Sequence, residues 1–563
     1  MQDSPVIAYF SMEIGLQPDI PTYAGGLGML AGDTVRAAAD MGVPLVAVSL
    51  LYRNGYFRQQ LDASGWQAEA SQTWQVEDHV EQLPGRCKVE IDGRTVVLRA
   101  WRYQVVGLGG QSVTVLLLDS DLPENSDWDR SITHNLYGGD EYYRLCQEMV
   151  LGVGGVRLLH RLGYESISRY HMNEGHAAML VLELLEEQRV IAGHAHATIE
   201  DVDAVRRQCV FTTHTPVAAG HDRFPLDLLR RVLGKLALPE QLEAEFCHEG
   251  RLNMTFLALA TSHYVNGVAK KHRETAQFMF ARYRIDSITN GVHAATWVCP
   301  PFQQLFDQHI PGWKADNASL RYALTIPHDS IREAHRQAKA RLLQHVQQTT
   351  GTVLAPGMMT IGFARRVTQY KRFDLLFQDI QHLRSIARNA GAFQLVFAGK
   401  AHPRDVPGKQ LIQKIYALHE QLRGEIDIVF LENYDMVTAQ MMTSGCDLWL
   451  NTPQPPLEAS GTSGMKAAMN GVPSLSVLDG WWNEGCIEGI TGWAIGDRHV
   501  VASLTASQEA NALYDTLEQV VLPAFYSNDN FFVDIMRHAI ALNGSFFNTE
   551  RMLNQYVTKA YFS

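Results

Sequence analysis

Short, wholly apolar segments alternate with helix-length amphipathic ones along most of this chain, and this alternation constrains the fold most. Val6–Phe10 (VIAYF) reads as a buried strand. A turn-rich loop leads to Gly25-Gly26-Leu27-Gly28, then to an amphipathic run Met29–Met41 and a second strand, Pro44–Leu51. That spacing is what a parallel crossover requires. The second half repeats the style, with strands at Met359–Phe363, Phe393–Ala398, Ile426–Leu431, Cys446–Leu450 and Pro473–Val477. Tyr370–Arg388 reads as a helix, because Phe373, Leu375, Leu376, Ile380 and Leu383 recur at helical spacing. Continuous apolar strands separated by helices indicate parallel sheets covered on both faces. Pro300-Pro301 and Pro311-Gly312 mark the best break, within Trp297–Gly312. The expected fold is α/β: two doubly wound Rossmann-like domains, residues 1–300 and 301–563, the last helices returning onto the first. Ligands of such sheets bind beyond the carboxyl ends of the strands, which points to the interdomain cleft.

Composition narrows the function. Apolar residues are 46% and charged residues 19% of 563, too apolar and too little charged for disorder. With 48 basic and 60 acidic residues the net charge is −12, which argues against nucleic acid or an anionic membrane as the main partner. The seven cysteines, odd in number and without a CxxC pair, suggest neither a disulfide framework nor a structural zinc site. No basic-then-apolar leader opens the sequence, and the longest apolar stretch, around Val43–Leu51, is too short to span a bilayer. The expected location is the cytoplasm.

Three segments carry chemistry. Gly25-Gly26-Leu27-Gly28, at a strand-to-helix turn, is either a plain tight turn or a place where backbone N–H groups and a helix dipole meet an anion. Arg365-Arg366 and Lys371-Arg372 put four basic residues in eight positions after a strand. Basic residues oppose the dipole of a helix start, which favours an anion site over a solvated helix face. Leu457–Val472 (LEASGTSGMKAAMNGV) joins Glu458, a hydroxyl-rich glycine turn and Lys466, which opens a helix. It suits a phosphorylated ligand or a plain helix cap equally, and it is not a Walker A loop because Ala467 follows the lysine. His171 and His176 lie five apart with glycine between, which is not metal-ligand spacing, and no metal is expected. His214, at a strand end among threonines, is in isolation best read as a structural histidine.

Together these residues resemble the α-glucan phosphorylases (glycogen, starch and maltodextrin) of a short bacterial type. The most specific match is Glu458-Ala459-Ser460-Gly461-Thr462-Ser463-Gly464-Met465-Lys466 with Asn470-Gly471. Gly25–Gly28, His214-Thr215, Val265–Ala269, Thr289–Val292, Arg366 with Tyr370–Arg372, Phe430–Tyr434 and Leu478–Gly480 follow in the family's order, so the resemblance covers residues 6 to 500.

The resemblance implies a glycosyltransferase B-type architecture and a retaining, reversible phosphorolysis. Orthophosphate cleaves terminal α-1,4-glucosyl units of a glucan or maltooligosaccharide to α-glucose 1-phosphate. It implies pyridoxal 5′-phosphate held on Lys466, its 5′-phosphate exchanging a proton with the substrate phosphate, and Arg365, Thr462, Gly464, Gly26 and Tyr434 around it. Arg366 and Lys371 would neutralise the substrate phosphate, helped by the Gly25-Gly26 helix start. His214, Asn290, Glu458 and the backbone of Ala459, Ser460 and Gly461 would take the sugar, with Leu27, Val265 and Tyr370 beside them. Glu458 could also stabilise a cationic sugar.

Three positions depart from the family pattern: Arg365 stands for a lysine, Met29 for an arginine after the glycine turn, and Asp435 for an arginine after Tyr434. The chain is shorter than animal and plant members, which implies no nucleotide activation and no phosphoserine switch. A homodimer is common in the family. The rivals are a nucleotide-sugar-dependent glycosyltransferase of the same fold and a catalytically decayed glucan-binding protein.

Overall fold

The computed structural model describes residues 7–217, 220–234, 246–496, 504–527 and 529–562. Val6, expected to open the first strand, lies outside them. The apolar segments form two large sheets. The first contains β1 (Ile7–Ser11), β2 (Leu45–Leu50), β3 (Glu81–Ile91), β4 (Arg94–Val106), β5 (Ser112–Asp119), β6 (Arg169–Asn173), β7 (Cys209–Thr212), β8 (Tyr264–Gly267) and β9 (Asp286–Ser287), in the order β9-β8-β7-β6-β1-β2-β5-β4-β3. From β9 to β5 neighbouring strands are parallel. β3, β4 and β5 form an antiparallel edge that the strand–helix pattern did not foretell. Their alternating exposed and buried positions are those of a sheet wetted on one face.

The second sheet holds β10 (Met359–Ala364), β11 (Phe393–Ala398), β12 (Ile428–Leu431), β13 (Leu448–Asn451), β14 (Ser474–Val477) and β15 (Gly492–Ile495). Its order is β12-β11-β10-β13-β14-β15, parallel throughout. Every residue of these strands is buried, which is why they read as unbroken apolar runs.

Three sequence expectations need correction. Tyr370–Arg388 is not one helix. Short 3-10 turns at Gln369–Lys371 and Leu375–Phe377 precede a helix of only Ile380–Asn389. Arg372 sits at φ 48 and its guanidinium binds the carbonyls of Thr452 and Pro453, so tertiary bonds override the helical spacing. Asp379 caps the true start by accepting from His382 N at 2.9 Å. Pro300-Pro301, expected in a break, instead begins the helix Pro300–His309, where proline's fixed φ suits the first turn. Lys466 lies in the second turn of the helix Thr462–Met469 rather than opening it.

Segments from each half of the chain reach the sheet of the other. The hairpin Arg58–Leu61/Gln67–Ala70 reaches the second sheet through fully buried amides: Gln59 Nε2 donates to Gly399 O and Gln67 Nε2 to Ala401 O, both at 2.9 Å. The final helix Thr549–Tyr556 returns to the first sheet. Its Tyr556 hydroxyl lies 3.0 Å from both Thr212 Oγ1 and Asn266 Nδ2, and the Tyr561 hydroxyl lies 2.7 Å from His171 Nδ1. All seven cysteines are free, and no helix among the described residues is long and apolar enough to cross a membrane.

Candidate active site

The strand ends of the two sheets face one cavity of about 1090 Å³. β1 leads to Glu13, whose carboxylate accepts from the backbone N–H of Ala24 at 2.6 Å and Gly25 at 3.0 Å and from the Tyr137 hydroxyl at 2.8 Å. The Gly25 N–H, expected to face an external anion, is therefore already engaged. The helix Gly26–Met41 starts beyond it with no acidic residue in its first turn, so the dipole end stays open to the cavity.

β6 leads to Glu174, held at φ 77. Such a backbone costs a non-glycine residue about 1–3 kcal/mol. Here it aims the carboxylate at Gly175 N (3.0 Å), His214 N (2.8 Å) and the Thr215 hydroxyl (2.9 Å). β7 leads to His214, whose Nε2 lies 2.6 Å from Asn173 Oδ1. Burial lowers this imidazole to about 4 against the pull of Glu174, so it is neutral at pH 7. Bonding to an amide oxygen makes Nε2 the donor and leaves Nδ1 an acceptor. β8 carries Val265, which is buried in the sheet core and is not on the cavity wall. Val268, three residues on, is on it. Asn290 follows β9, with a buried Oδ1 that has no hydrogen-bond partner.

From the second sheet, β10 delivers Arg365, Arg366, Tyr370 and Lys371 to the cavity. β13 delivers Glu458, Ala459, Ser460, Gly461 and Thr462, with Lys466 one turn on. Tyr434 arrives from β12, and burial raises its hydroxyl far above neutrality. Gly464 is not on the wall. It packs under Trp481, where a Cβ would meet the indole at 2.7 Å. The family resemblance implies separate partners for Arg365, Lys371 and Glu458, but the structure clusters them. Glu458 accepts from Arg365 Nη2 at 2.6 Å and Lys371 Nζ at 2.5 Å. Burial pushes the Glu458 carboxyl up, but the two cations outweigh it and hold it down to about 2. Buried cations demand a counter-ion, and Glu458 supplies one. Two further Arg365 nitrogens, Nε and Nη1, have no partner, and neither does Ser460 Oγ. Arg366 opens onto the cavity beside the Tyr370 hydroxyl and forms no ion pair among the described residues.

A carbohydrate phosphorylase family model matches residues 240–484. The chain is 37% identical over 603 residues to the maltodextrin phosphorylase of Thermococcus litoralis, covering 99% of this chain and 70% of that protein. It is 38% identical over 624 residues to the glycogen phosphorylase of Mycobacterium tuberculosis, with the same coverage. The glycogen phosphorylase of Aquifex aeolicus is 35% identical over 99% of this chain and 86% of that protein. This chain belongs to the carbohydrate phosphorylase family.

Several cavity residues of this phosphorylase are not legible in the sequence, among them Glu13, Glu174 and Trp297. Glu13 and Glu174 both follow a strand end by one or two residues, which is the available signal, but the His171–His176 spacing draws attention only as a metal pair. Asp435, the departure from the family pattern, lies on the wall and caps the helix Met436–Gly445 through Thr438 N at 2.8 Å. Its charge is thus partly spent on backbone N–H groups.

Proposed function

We propose that this phosphorylase catalyses the reversible phosphorolysis of terminal α-1,4-glucosyl units of glucans or maltooligosaccharides. Orthophosphate is the acceptor and α-glucose 1-phosphate, with retained configuration, the product. One observation carries the reading: the basic side chains of Arg365, Arg366, Lys371 and Lys466 share one cavity with the neutral polar side chains of His214 and Asn290. The first suits phosphate and the second suits sugar hydroxyls.

The donor set also fits pyridoxal 5′-phosphate. Lys466 is buried with its amine lowered to about 8, chiefly by burial, which leaves an appreciable neutral fraction able to bond a carbonyl. Arg365, with two unpartnered nitrogens, and the Thr462 helix start would hold the cofactor phosphate, with Gly26 and Tyr434 alongside. When bound, this group supplies an acid–base phosphate beside the substrate phosphate.

The protein's own residues do the rest. Arg366 and the open start of the helix Gly26–Met41 receive orthophosphate and offset the repulsion between two phosphates. Lys371 shares its charge between that anion and Glu458. Neutral His214 and Asn290 orient the terminal glucose, with the Ala459, Ser460 and Gly461 backbone completing the ring of partners. Glu458 places negative charge beside the sugar as its anomeric carbon becomes cationic. The parallel core of the first sheet and the wholly parallel second sheet, the latter in the doubly wound order, support a pair of Rossmann-like units divided near residue 300.

The test is direct. Purified protein, pyridoxal 5′-phosphate, maltoheptaose and orthophosphate are followed by phosphorus NMR. Formation of α-glucose 1-phosphate is expected. Its absence, with turnover of a nucleotide sugar instead, would overturn the reading.

A further inference from the structure

The Lys466 ammonium is buried and forms no ion pair among the described residues, yet it is not unsupported. Its Nζ lies 3.4 Å from the centroid of the Trp297 ring. Ammonium over an indole face is the strongest form of cation–π contact, worth more once desolvated. The indole is itself clamped. Its Nε1 donates to Asp33 Oδ2 at 2.7 Å, and Asn470 Nδ2 donates at 2.9 Å to both Trp297 O and Lys466 O. Asp33, Trp297 and Asn470 are all buried. One amide thus ties the backbone of the lysine to that of the ring supporting it, and one carboxylate fixes the ring plane. Neither Asp33 nor Asn470 is needed for the sugar or phosphate contacts described above.

We propose that Trp297 is a shelf on which the protonated Lys466 rests when no aldehyde is bound, and that Asp33 both clamps that ring and favours the ammonium through its own negative charge. Together they set the pH above which the lysine becomes nucleophilic. This deepens, and rests on, the reading that Lys466 carries the cofactor. The charged groups acting on the amine are Asp33 and Arg36. Arg36, on the same helix as Asp33, opposes the ammonium, but it also binds Asp33 at 3.3 Å and the Gly15 carbonyl at 3.0 Å. His293 spends both ring nitrogens on Asp40 and Thr296. Across the cavity, Arg365 and Lys371 are paired with Glu458. Asp33 raises the amine and burial lowers it, so losing the shelf or the acid shifts the balance towards the neutral form.

The experiment uses the cofactor-free protein and pyridoxal, an aldehyde without phosphate. The amine lone pair bonds the aldehyde carbon, the oxygen leaves as water, and cyanoborohydride delivers hydride to that carbon, leaving a secondary amine. Peptide mass spectrometry reads the adduct at Lys466 as a function of pH. Labelling of the unaltered protein should rise as pH climbs through about 8. Asp33→Asn keeps the acceptor for the indole N–H but loses the charge. Trp297→Leu loses the ring face. Both should move the midpoint to lower pH by about one unit, while Trp297→Phe, which keeps a ring face, should move it less. A midpoint unchanged in Asp33→Asn and Trp297→Leu overturns the proposal. If Trp297→Leu does not fold, an unchanged midpoint in Asp33→Asn together with Trp297→Phe does so. A failure to label Lys466 in the unaltered protein at any pH would instead sink the cofactor assignment.

Discussion

Arg365 and Arg366 are sequence neighbours with different electrostatic surroundings. Arg365 is buried against Glu458, whereas Arg366 opens onto the cavity without an acidic partner among the described residues. Arg366→Ala should therefore leave the fold intact and cost about 3 kcal/mol of transition-state stabilisation. It should be read as kcat/KM at limiting phosphate, with equal activity there removing it from the site. Lys466→Ala should remain folded by circular dichroism but carry no phosphopyridoxyl adduct after borohydride reduction. Both cations were legible, because basic residues after a buried strand in an acidic chain are locally anomalous. The pairing of Glu458 with residues about 90 positions away was not, because nothing local encodes it.

At the scale of elements, the loop from Glu458 into the helix Thr462–Met469 is built from close backbone approaches. Gly461 sits at φ 89, and a Cβ on Gly480 would lie 2.4 Å from Ser460 O. Gly464→Ala would press into Trp481 and should cost about 1–3 kcal/mol in urea unfolding. The same loop gives a pH signature. Asp479 accepts from Glu458 N at 2.8 Å and Gly480 N at 2.9 Å, yet burial raises its carboxyl to about 7. Its folded pKa lies above the unfolded value, so the native state holds the extra proton between pH 4 and 7. This contribution to stability is present below that window and is lost as pH rises through it. Glu458, lowered to about 2, contributes with the opposite sign, losing stability as pH falls from 4.5 towards 2. Denaturant melts of Asp479→Asn should show a flatter pH dependence between 4 and 7. A slope matching the unaltered protein would refute the Asp479 assignment.

Over the whole molecule, the C-terminal helix acts on a cavity that it does not line. Arg551 donates to the carbonyls of Thr289 and Asn290, the latter at 2.9 Å, and so braces the loop presenting the Asn290 side chain. Arg551→Met should cost about 2 kcal/mol in stability for carbonyls left unpaired. It should also raise KM for glucan more than KM for phosphate. An equal effect on both would show that the brace is not specific to the Asn290 side of the cavity. The hairpin bearing Gln59 and Gln67 does comparable work from the other side, linking the first half of the chain to Gly399 and Ala401.

By itself the sequence determined the buried parallel strands, the glycine turns and the basic cluster after β10. These depend on contiguous residues, on apolar continuity, backbone freedom and local charge. Only the tertiary structure decided which acid neutralises Arg365 and Lys371, that Glu13 occupies the Gly25 turn, that Trp297 supports Lys466 and that the last helix returns to β7 and β8. Those contacts join residues from a dozen to several hundred positions apart. Each forms because a buried charge or hydroxyl must find a partner wherever the packed sheets bring one within reach.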